Sequence, residues 1–231
     1  MAVGYNPRIV TDSLVFCLDS ANTKSYGGSG TTWTDISGSG NNGTLTNGPT
    51  HTSGAGGYFT FDGSNDYVTT SNTTISGSQT FSVWAMVTGG PNSPAGIITQ
   101  HNYAATANFG INHITGNKLA ASIGYTNGTR EYASKTTSFT ITNDVTFNAV
   151  LVYSSTDNKI YWYINGQLDS SHTLSLTPKS TNYPICLGRW DANYAAYHFT
   201  GRVYSGTIHN KALSAAEVKQ NFDALRGRYG I

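Results

Sequence analysis

Phe147-Asn-Ala-Val-Leu-Val-Tyr153, Lys159-Ile-Tyr-Trp-Tyr-Ile164 and Gln167-Leu-Asp169 form the stretch of sequence that decides the fold. In its second segment, isoleucine and tryptophan alternate with tyrosine, so successive side chains point to opposite faces of an extended strand. Asn165-Gly166 separates the last two segments, and this pair favours a two-residue hairpin turn in which both residues have positive φ. The stretch therefore predicts a three-stranded meander in the middle of an antiparallel sheet.

The rest of the chain repeats the pattern of short apolar segments separated by turn residues. We predict further strands over residues 14–18, 58–61, 66–68, 81–87, 97–99, 109–112, 119–125, 131–133, 139–141, 185–187 and 201–209. The unbroken apolar run at 14–18 indicates a strand that is buried on both faces. Many short strands of this kind indicate an all-β chain folded as a two-sheet sandwich or a barrel.

Length and composition favour one domain with a neutral polar surface. The chain has 231 residues, of which 11% are charged and 12% aromatic, and its formal net charge is +1. No run of Lys or Arg offers the basic patch that phosphate binding needs, so nucleic acid is not an expected partner. No apolar run is long enough to cross a membrane, and the first residues lack the apolar segment of a signal peptide. We expect synthesis and folding in a cytoplasm.

Three further segments complete the organisation. Residues 1–13 have no clear period and form an N-terminal arm, which is either a peripheral segment or an anchor to a partner. Residues 14–231 form the single domain. Ser214-Ala-Ala-Glu217 is a capping box that opens a helix over 214–226, with Gly227 just after its end. We expect this helix to pack on a sheet edge or rim, and Cys17 and Cys186 to be buried free thiols.

Catalytic patterns are missing from the sequence. The chain has two glutamates, Glu131 and Glu217, and the second belongs to the capping box. Glycoside hydrolysis usually needs two carboxylates that flank the scissile bond, and no Glu-x-Asp-x-x-Glu run is present. A pair of Asp residues could substitute, but the Asp residues are scattered through predicted turns. The sequence also lacks a Gly-x-Ser-x-Gly elbow and a His-Glu-x-x-His pattern. We therefore expect a protein that is not an enzyme.

Two kinds of binding site are candidates. Asp62, Asn65 and Asp66 could supply oxygen ligands to Ca²⁺, although the same residues are typical of turns closed by their own side chains. Two polar, aromatic stretches, 101–108 and 190–198, are predicted as loops that bind a sugar, because a sugar ring stacks on an aromatic face while polar groups bond its hydroxyls. The candidate sugar-binding residues are Trp190, Asp191, Asn193, Tyr194, Tyr197, Asn102 and Tyr103.

Several motifs in order resemble one family. They are Leu14-Val-Phe-Cys-Leu-Asp-Ser-Ala-Asn22, Trp33-Thr-Asp-Ile-Ser-Gly-Ser-Gly-Asn-Asn-Gly-Thr-Leu45, Phe59-Thr-Phe-Asp-Gly-Ser-Asn-Asp-Tyr-Val68, Tyr163-Ile-Asn-Gly166 and the ending 201–217. Over residues 14–227 the chain resembles the laminin-G-like branch of the concanavalin A-like lectin/glucanase superfamily, in a form similar to virion proteins of tailed phages. The resemblance implies an antiparallel two-sheet jelly-roll sandwich with one short C-terminal helix, a ligand site on the rim or concave face, and calcium as an option.

The resemblance leaves two hypotheses of different classes. In the first, the chain is a virion surface protein, in a capsid decoration or a tail fibre, whose lectin-like domain binds glycans. In the second, it is a structural decoration that binds no sugar and is held to other virion proteins by residues 1–13. A homo-oligomer fits both hypotheses, and a β-sandwich glycan hydrolase is a minor third alternative.

Overall fold

Eighteen strands and one helix make up the computed structural model, which describes residues 7–54, 56–91, 93–102, 107–191 and 194–231. The strands are β1 Leu14–Asp19, β2 Thr32–Trp33, β3 Gly43–Thr46, β4 Thr50–Thr52, β5 Tyr58–Asp62, β6 Tyr67–Ile75, β7 Gln79–Val87, β8 Ala95–Asn102, β9 Ala107–Ile114, β10 Lys118–Gly124, β11 Arg130–Thr136, β12 Thr146–Ser154, β13 Lys159–Ile164, β14 Gln167–Thr173, β15 Thr181–Leu187, β16 Arg189–Asp191, β17 Tyr194–His198 and β18 Thr200–His209, and the helix is α1 Ala215–Tyr229.

Two antiparallel sheets contain most of these strands. Sheet A has the order β14-β13-β12-β7-β18-β5-β4, with β1 also paired to β18, and sheet B has the order β11-β10-β9-β8-β15-β6-β3-β2. Beyond them, β16 and β17 form a separate two-stranded hairpin. The predicted all-β sandwich with a C-terminal helix is confirmed.

The predicted meander is present as β12, β13 and β14. Asn165 and Gly166 have φ values of 48° and 75°, so both residues adopt the positive φ that the turn was predicted to need. The meander forms one end of sheet A rather than its middle, because β7 and β18 lie beyond β12. The predicted strand at residues 139–141 is wrong, since the chain there is irregular. Ile141 is nevertheless buried in the core, which explains its apolar character.

The core lies between the two sheets. Strand residues that alternate along β7, β9, β12 and β13 fill it, together with the buried Trp33 and Trp162. Cys17 and Cys186 are buried free thiols, as predicted, and burial raises the pKa of each to about 12. Neither thiol is therefore ionised at neutral pH.

Helix α1 covers the outer face of sheet A. Its capping box is present, with Ser214 as the N-cap and Glu217 bonded back to it. Val218 packs with Val150 and Val152 of β12, and Phe222 stacks on Trp84 of β7 at 5.5 Å and an interplanar angle of 4°. The expected position on a sheet edge is therefore wrong, because the helix lies across the face of the central strands. The helix also continues past Gly227 and ends at Gly230, whose φ is 73°.

The described part of the N-terminal arm lies along α1 and β18. The backbone N–H of Val10 donates to Oδ1 of Asn221 at 2.7 Å, and the carbonyl of Val10 faces Nε2 of His209 at 3.0 Å. Gln220 donates from Nε2 to the carbonyl of Arg8 at 2.7 Å. Residues 8–13 are therefore tied to their own domain. No helix in the described residues is long and apolar enough to cross a membrane.

Candidate functional site

The β16–β17 hairpin lies against strand β8 of sheet B. The hydroxyl of Thr99 lies 3.1 Å from the carbonyl oxygen of Arg189 and 3.0 Å from that of Trp190. A Cβ atom at Gly96 would lie 2.4 Å from the carbonyl oxygen of Arg189. Glycine is therefore required at this position of β8, because any side chain would push the hairpin away.

His101, near the end of β8, connects the two stretches that the sequence predicted as sugar-binding. Its ring lies 4.1 Å from the Trp190 ring at an interplanar angle of 35°, and its Nδ1 lies 3.0 Å from Oδ2 of Asp191. Both side chains of this hydrogen-bonded pair are only 1% exposed. Burial lowers the pKa of His101, while the bond to Asp191 opposes that shift. The neutral imidazole then carries its proton on Nδ1, and this N–H donates a hydrogen bond to the carboxylate.

Within the hairpin, the side chain of Trp190 is buried and the ring of Tyr197 packs against it. Trp190 is only 3% exposed, and its Nε1 lies 3.4 Å from the Ser122 hydroxyl on β10. The Tyr197 ring meets Trp190 edge-on at 5.5 Å and 88°. Tyr197 is partly exposed and has a φ of 66°, in the left-handed region that bulky residues rarely adopt. Such backbone strain concentrates at functional sites.

A row of buried polar side chains lies on the same sheet, on β9 and β10. Nδ2 of Asn112 donates to the Ser122 hydroxyl at 2.7 Å. Neither polar atom of the Asn108 carboxamide has a hydrogen-bond partner within the part of the chain that the structure describes. Buried amides are normally bonded to protein or to ordered water, so an unpartnered one on this face is unusual.

Sequence reasoning missed Asn112, Ser122 and Thr99 of this face. A signal was available, because Asn108, Gly110 and Asn112 alternate with the apolar Phe109 and Ile111. In a strand whose two faces are both covered, such alternation indicates that one covered face is polar.

The stretches 101–108 and 190–198 were predicted as loops, and this prediction is wrong for their described residues, whereas 103–106 and 192–193 lie outside the described part of the chain. Strand β8 runs to Asn102, β9 begins at Ala107, and β16 and β17 pair at Arg189 with His198 and at Asp191 with Tyr194. The polar, alanine-rich composition concealed these strands, because docking of the hairpin on β8 outweighs weak strand propensity.

The structure brings together several of the predicted sugar-binding residues. Trp190 and Asp191 are buried beneath the hairpin, and Tyr197 and Asn102 are partly exposed. Tyr194 begins β17. Asn193 and Tyr103 lie outside the described residues.

The Asp62–Asp66 turn, the predicted calcium site, bonds its own backbone. Oδ1 of Asp62 accepts from the backbone N–H of Ser64 at 2.8 Å, of Asn65 at 3.2 Å and of Asp66 at 3.4 Å. The bond from Ser64 is the main cause that lowers the pKa of Asp62, whereas burial raises that of Asp66. Within the described ranges, no three His, Cys, Asp or Glu side chains gather as metal ligands. This geometry is that of an Asx turn.

The family of the chain follows from comparison with known proteins. A family model described as the concanavalin A-like lectin/glucanases superfamily matches residues 62–219, which is more than half of the chain. The chain belongs to this superfamily. A search of curated protein sequences gives no match.

Several solved structures have the same fold as this chain, although their sequence identity to it is low. The binding domain of botulinum neurotoxin DC in complex with SialylT matches with a TM-score of 0.71 and 15% identity, over 93% of this chain and 52% of that one. Domain 4 of AbnA, an extracellular arabinanase from Geobacillus stearothermophilus, in complex with arabinotriose, matches with a TM-score of 0.69 and 16% identity, over 90% of this chain and 98% of that one.

A third similar structure belongs to an enzyme. The sialidase of Trypanosoma rangeli in complex with sialic acid matches with a TM-score of 0.66 and 11% identity, over 97% of this chain and 36% of the sialidase. The chain thus spans about half of the neurotoxin domain and about a third of the sialidase. At these identities the likeness shows a shared lectin-like β-sandwich.

Proposed function

We propose that this chain is a carbohydrate-binding module whose ligand contacts the β16–β17 hairpin and the adjoining end of β8. The observation that carries the proposal is the buried contact of His101 with both Trp190 and Asp191, which brings the two predicted sugar-binding stretches together. A rigid surface of this kind loses little entropy when a ligand binds.

The roles of the residues follow from their exposure. Tyr197 and Asn102 are partly exposed, so they supply an aromatic ring and an amide to a sugar. Trp190, Asp191 and His101 are buried and hold those two residues in place. The sugar-bound states of the neurotoxin binding domain and of arabinanase domain 4 support this ligand class for a chain of the same fold.

The separate positions of the two glutamates favour a binding function over hydrolysis. Oε1 of Glu217 lies 2.7 Å from Nζ of Lys211, and its Oε2 accepts the backbone N–H of Ser214, so the pKa of Glu217 falls to about 2. Glu131 lies on β11, 3.4 Å from Nζ of Lys135. One carboxylate thus belongs to a helix cap on sheet A, whereas the other lies at the end of sheet B. A hydrolase would need two carboxylates on opposite sides of one bond.

We further propose that this module lies on the surface of a tailed-phage virion, as the sequence resemblance implies. Residues 1–13 would then link it to other virion proteins. Because residues 8–13 also bond to α1 and β18, a partner would contact the arm as part of this surface rather than as a free strand. The alternative is a decoration protein that binds no sugar. Such a protein would give no signal on a glycan array, whereas a carbohydrate-binding module would.

The test is a glycan array probed with the wild-type chain and with a Tyr197→Ala, Asn102→Ala variant. We expect the wild type to bind a subset of glycans and the variant to lose at least about tenfold in affinity, or about 1.4 kcal/mol. Tyr161→Ala is the matched control, since Tyr161 is a partly exposed tyrosine on β13 of the other sheet.

Each array is run with Ca²⁺ and with a chelator, which also tests calcium at Asp62, Asn65 and Asp66. A wild-type array that is blank under both conditions overturns the proposal and favours the structural decoration. A signal that keeps its full strength in the double variant overturns the assignment of the ligand to this hairpin, because the sugar then binds elsewhere.

A further inference from the structure

A second cleft lies on the other sheet, between the chain after β1 and the edge strand β4. Its volume is about 150 Å³, and its walls include Ser20, Thr23, Tyr26, Gly27, His51 and Ser53. One ordered water needs only about 10–15 Å³ on this measure, so the cleft has room for a small organic ligand. Strand β4 is the last strand in the order of sheet A, whereas the hairpin site is built on β8 of sheet B.

The segment that forms one wall of the cleft is held rigidly. Asp19 accepts the backbone N–H of Ala21 at 3.0 Å and a bond from Nη1 of Arg228 at 2.6 Å. The hydroxyl of Ser25 donates to the carbonyl of Thr34 at 2.6 Å and accepts the N–H of Asp19 at 3.1 Å. The cleft therefore exists before any ligand arrives, and binding needs little ordering of the protein.

Two aromatic rings, those of Tyr26 and His51, line the cleft. The ring of Tyr26 lies 4.7 Å from that of His51 and 4.8 Å from that of Phe59, with edge-to-face geometry in both cases. Nε2 of His51 lies 3.0 Å from the carbonyl oxygen of Ser20, which can only accept. Nε2 therefore carries the proton, and the lone pair of Nδ1 can accept a bond from a ligand hydroxyl.

The remaining walls are neutral. Thr23 and Ser53 supply hydroxyls, Gly27 supplies exposed backbone, and no Asp, Glu, Lys or Arg is among the described residues that line the cleft. Apolar ring surface beside uncharged donors and acceptors suits a ligand with hydroxyls on a carbon ring and no net charge.

We propose that this cleft is a second ligand site, which takes one neutral sugar ring independently of the hairpin site. A single ring makes few contacts, so its dissociation constant is on the order of millimolar. Two weak sites on opposite sheets allow one chain to contact two branches of a glycan or two neighbouring glycans. Avidity then exceeds the affinity of either site without any further contact.

The experiment is a ¹H–¹⁵N NMR titration of the full chain with neutral monosaccharides: glucose, galactose, mannose, fucose, arabinose and N-acetylglucosamine. We expect at least one sugar to shift the backbone amides of Thr23, Gly27, Gly28 and Ser53 in a saturable way. Gly27→Trp should raise the dissociation constant at these amides at least about tenfold. Gly27 lines the cleft and a Cβ atom there meets nothing within 4 Å, so a large side chain can be added at the cleft wall without a clash at its base.

Gly90→Trp is the matched control, because Gly90 is another exposed glycine whose Cβ would meet nothing within 4 Å. If Gly27→Trp fails to fold, Thr23→Trp at the exposed Thr23 blocks the same cleft. The proposal is overturned if none of the sugars shifts these amides, or if the shifts persist in the cleft-blocking variant. The Tyr197→Ala, Asn102→Ala variant should keep them, so failure of the hairpin site and failure of the cleft are distinguishable.

Discussion

Tyr197 has a backbone conformation that its side chain disfavours. Its φ of 66° lies in the left-handed region, which costs roughly 1–2 kcal/mol for a residue with a Cβ and little for glycine. We expect Tyr197→Gly to be more stable than Tyr197→Ala by about 1 kcal/mol, the reverse of the usual order for these residues in a strand. Urea unfolding of the two variants measures the difference, and both lose the same contact with Trp190. If the alanine variant is the more stable one, Tyr197 is unstrained.

Trp190 shows what the sequence could and could not predict at this scale. A tryptophan among polar and aromatic residues after a strand indicated a functional region, and the residue does lie where the two predicted stretches meet. Its role differs, because Trp190 is 3% exposed and packs on His101. Burial depends on a contact between residues 89 positions apart in the sequence, and no local pattern encodes that contact.

The cap of α1 is the element whose energetics are most directly predictable. The Ser214 hydroxyl accepts the backbone N–H of Glu217 at 3.3 Å, and Glu217 accepts that of Ser214 at 2.8 Å. Ser214→Ala removes one of these bonds, and we expect the free energy of unfolding to fall by about 1 kcal/mol. Ser29→Ala, at an exposed loop serine, is the control. Equal midpoints for both variants in chemical denaturation would show that the cap contributes nothing.

The two ends of α1 differ in how well the sequence predicted them. The capping box is a local signal, and it located the start of the helix correctly. The sequence predicted that the helix ends just before Gly227. In the structure the helix continues to Tyr229 and is capped by Gly230. The ring of Tyr229 packs on Trp84 at 4.5 Å and on Tyr204 at 5.0 Å, so contacts with sheet A extend the last turn past the first glycine.

At the scale of the whole molecule, the sequence predicted the sandwich because strand alternation and turn residues recur along the entire chain. It did not predict which strand faces are covered from outside. Two elements decide that: α1 covers part of sheet A, and the β16–β17 hairpin covers part of sheet B. The outer faces beneath them therefore contain buried side chains that the alternation alone assigns to solvent.

Buried histidines make the whole domain sensitive to acid. His101, His113 and His209 are each at most 1% exposed, and burial is the main cause that lowers the pKa of all three. Their folded-state pKa values lie below the unfolded value of about 6.5, so the unfolded chain binds more protons as the pH falls below that value. The histidine contribution to stability is present above about pH 6.5 and is lost as the pH falls toward the folded-state values.

We therefore expect the melting temperature to fall from pH 7 to pH 5. The lowered carboxyl pKa values of Asp62 and Glu217 add their loss as the pH falls through their unfolded values of about 4, whereas Asp66, whose folded pKa is raised, takes up its proton at a higher pH in the fold and opposes them. Calorimetry at pH 8, 7, 6 and 5 measures the slope in the window where histidines dominate. His113→Gln removes one of the groups with a lowered pKa and should give a shallower slope. A melting temperature that stays constant or rises toward pH 5 would mean that the buried imidazoles gain protons without cost to the fold.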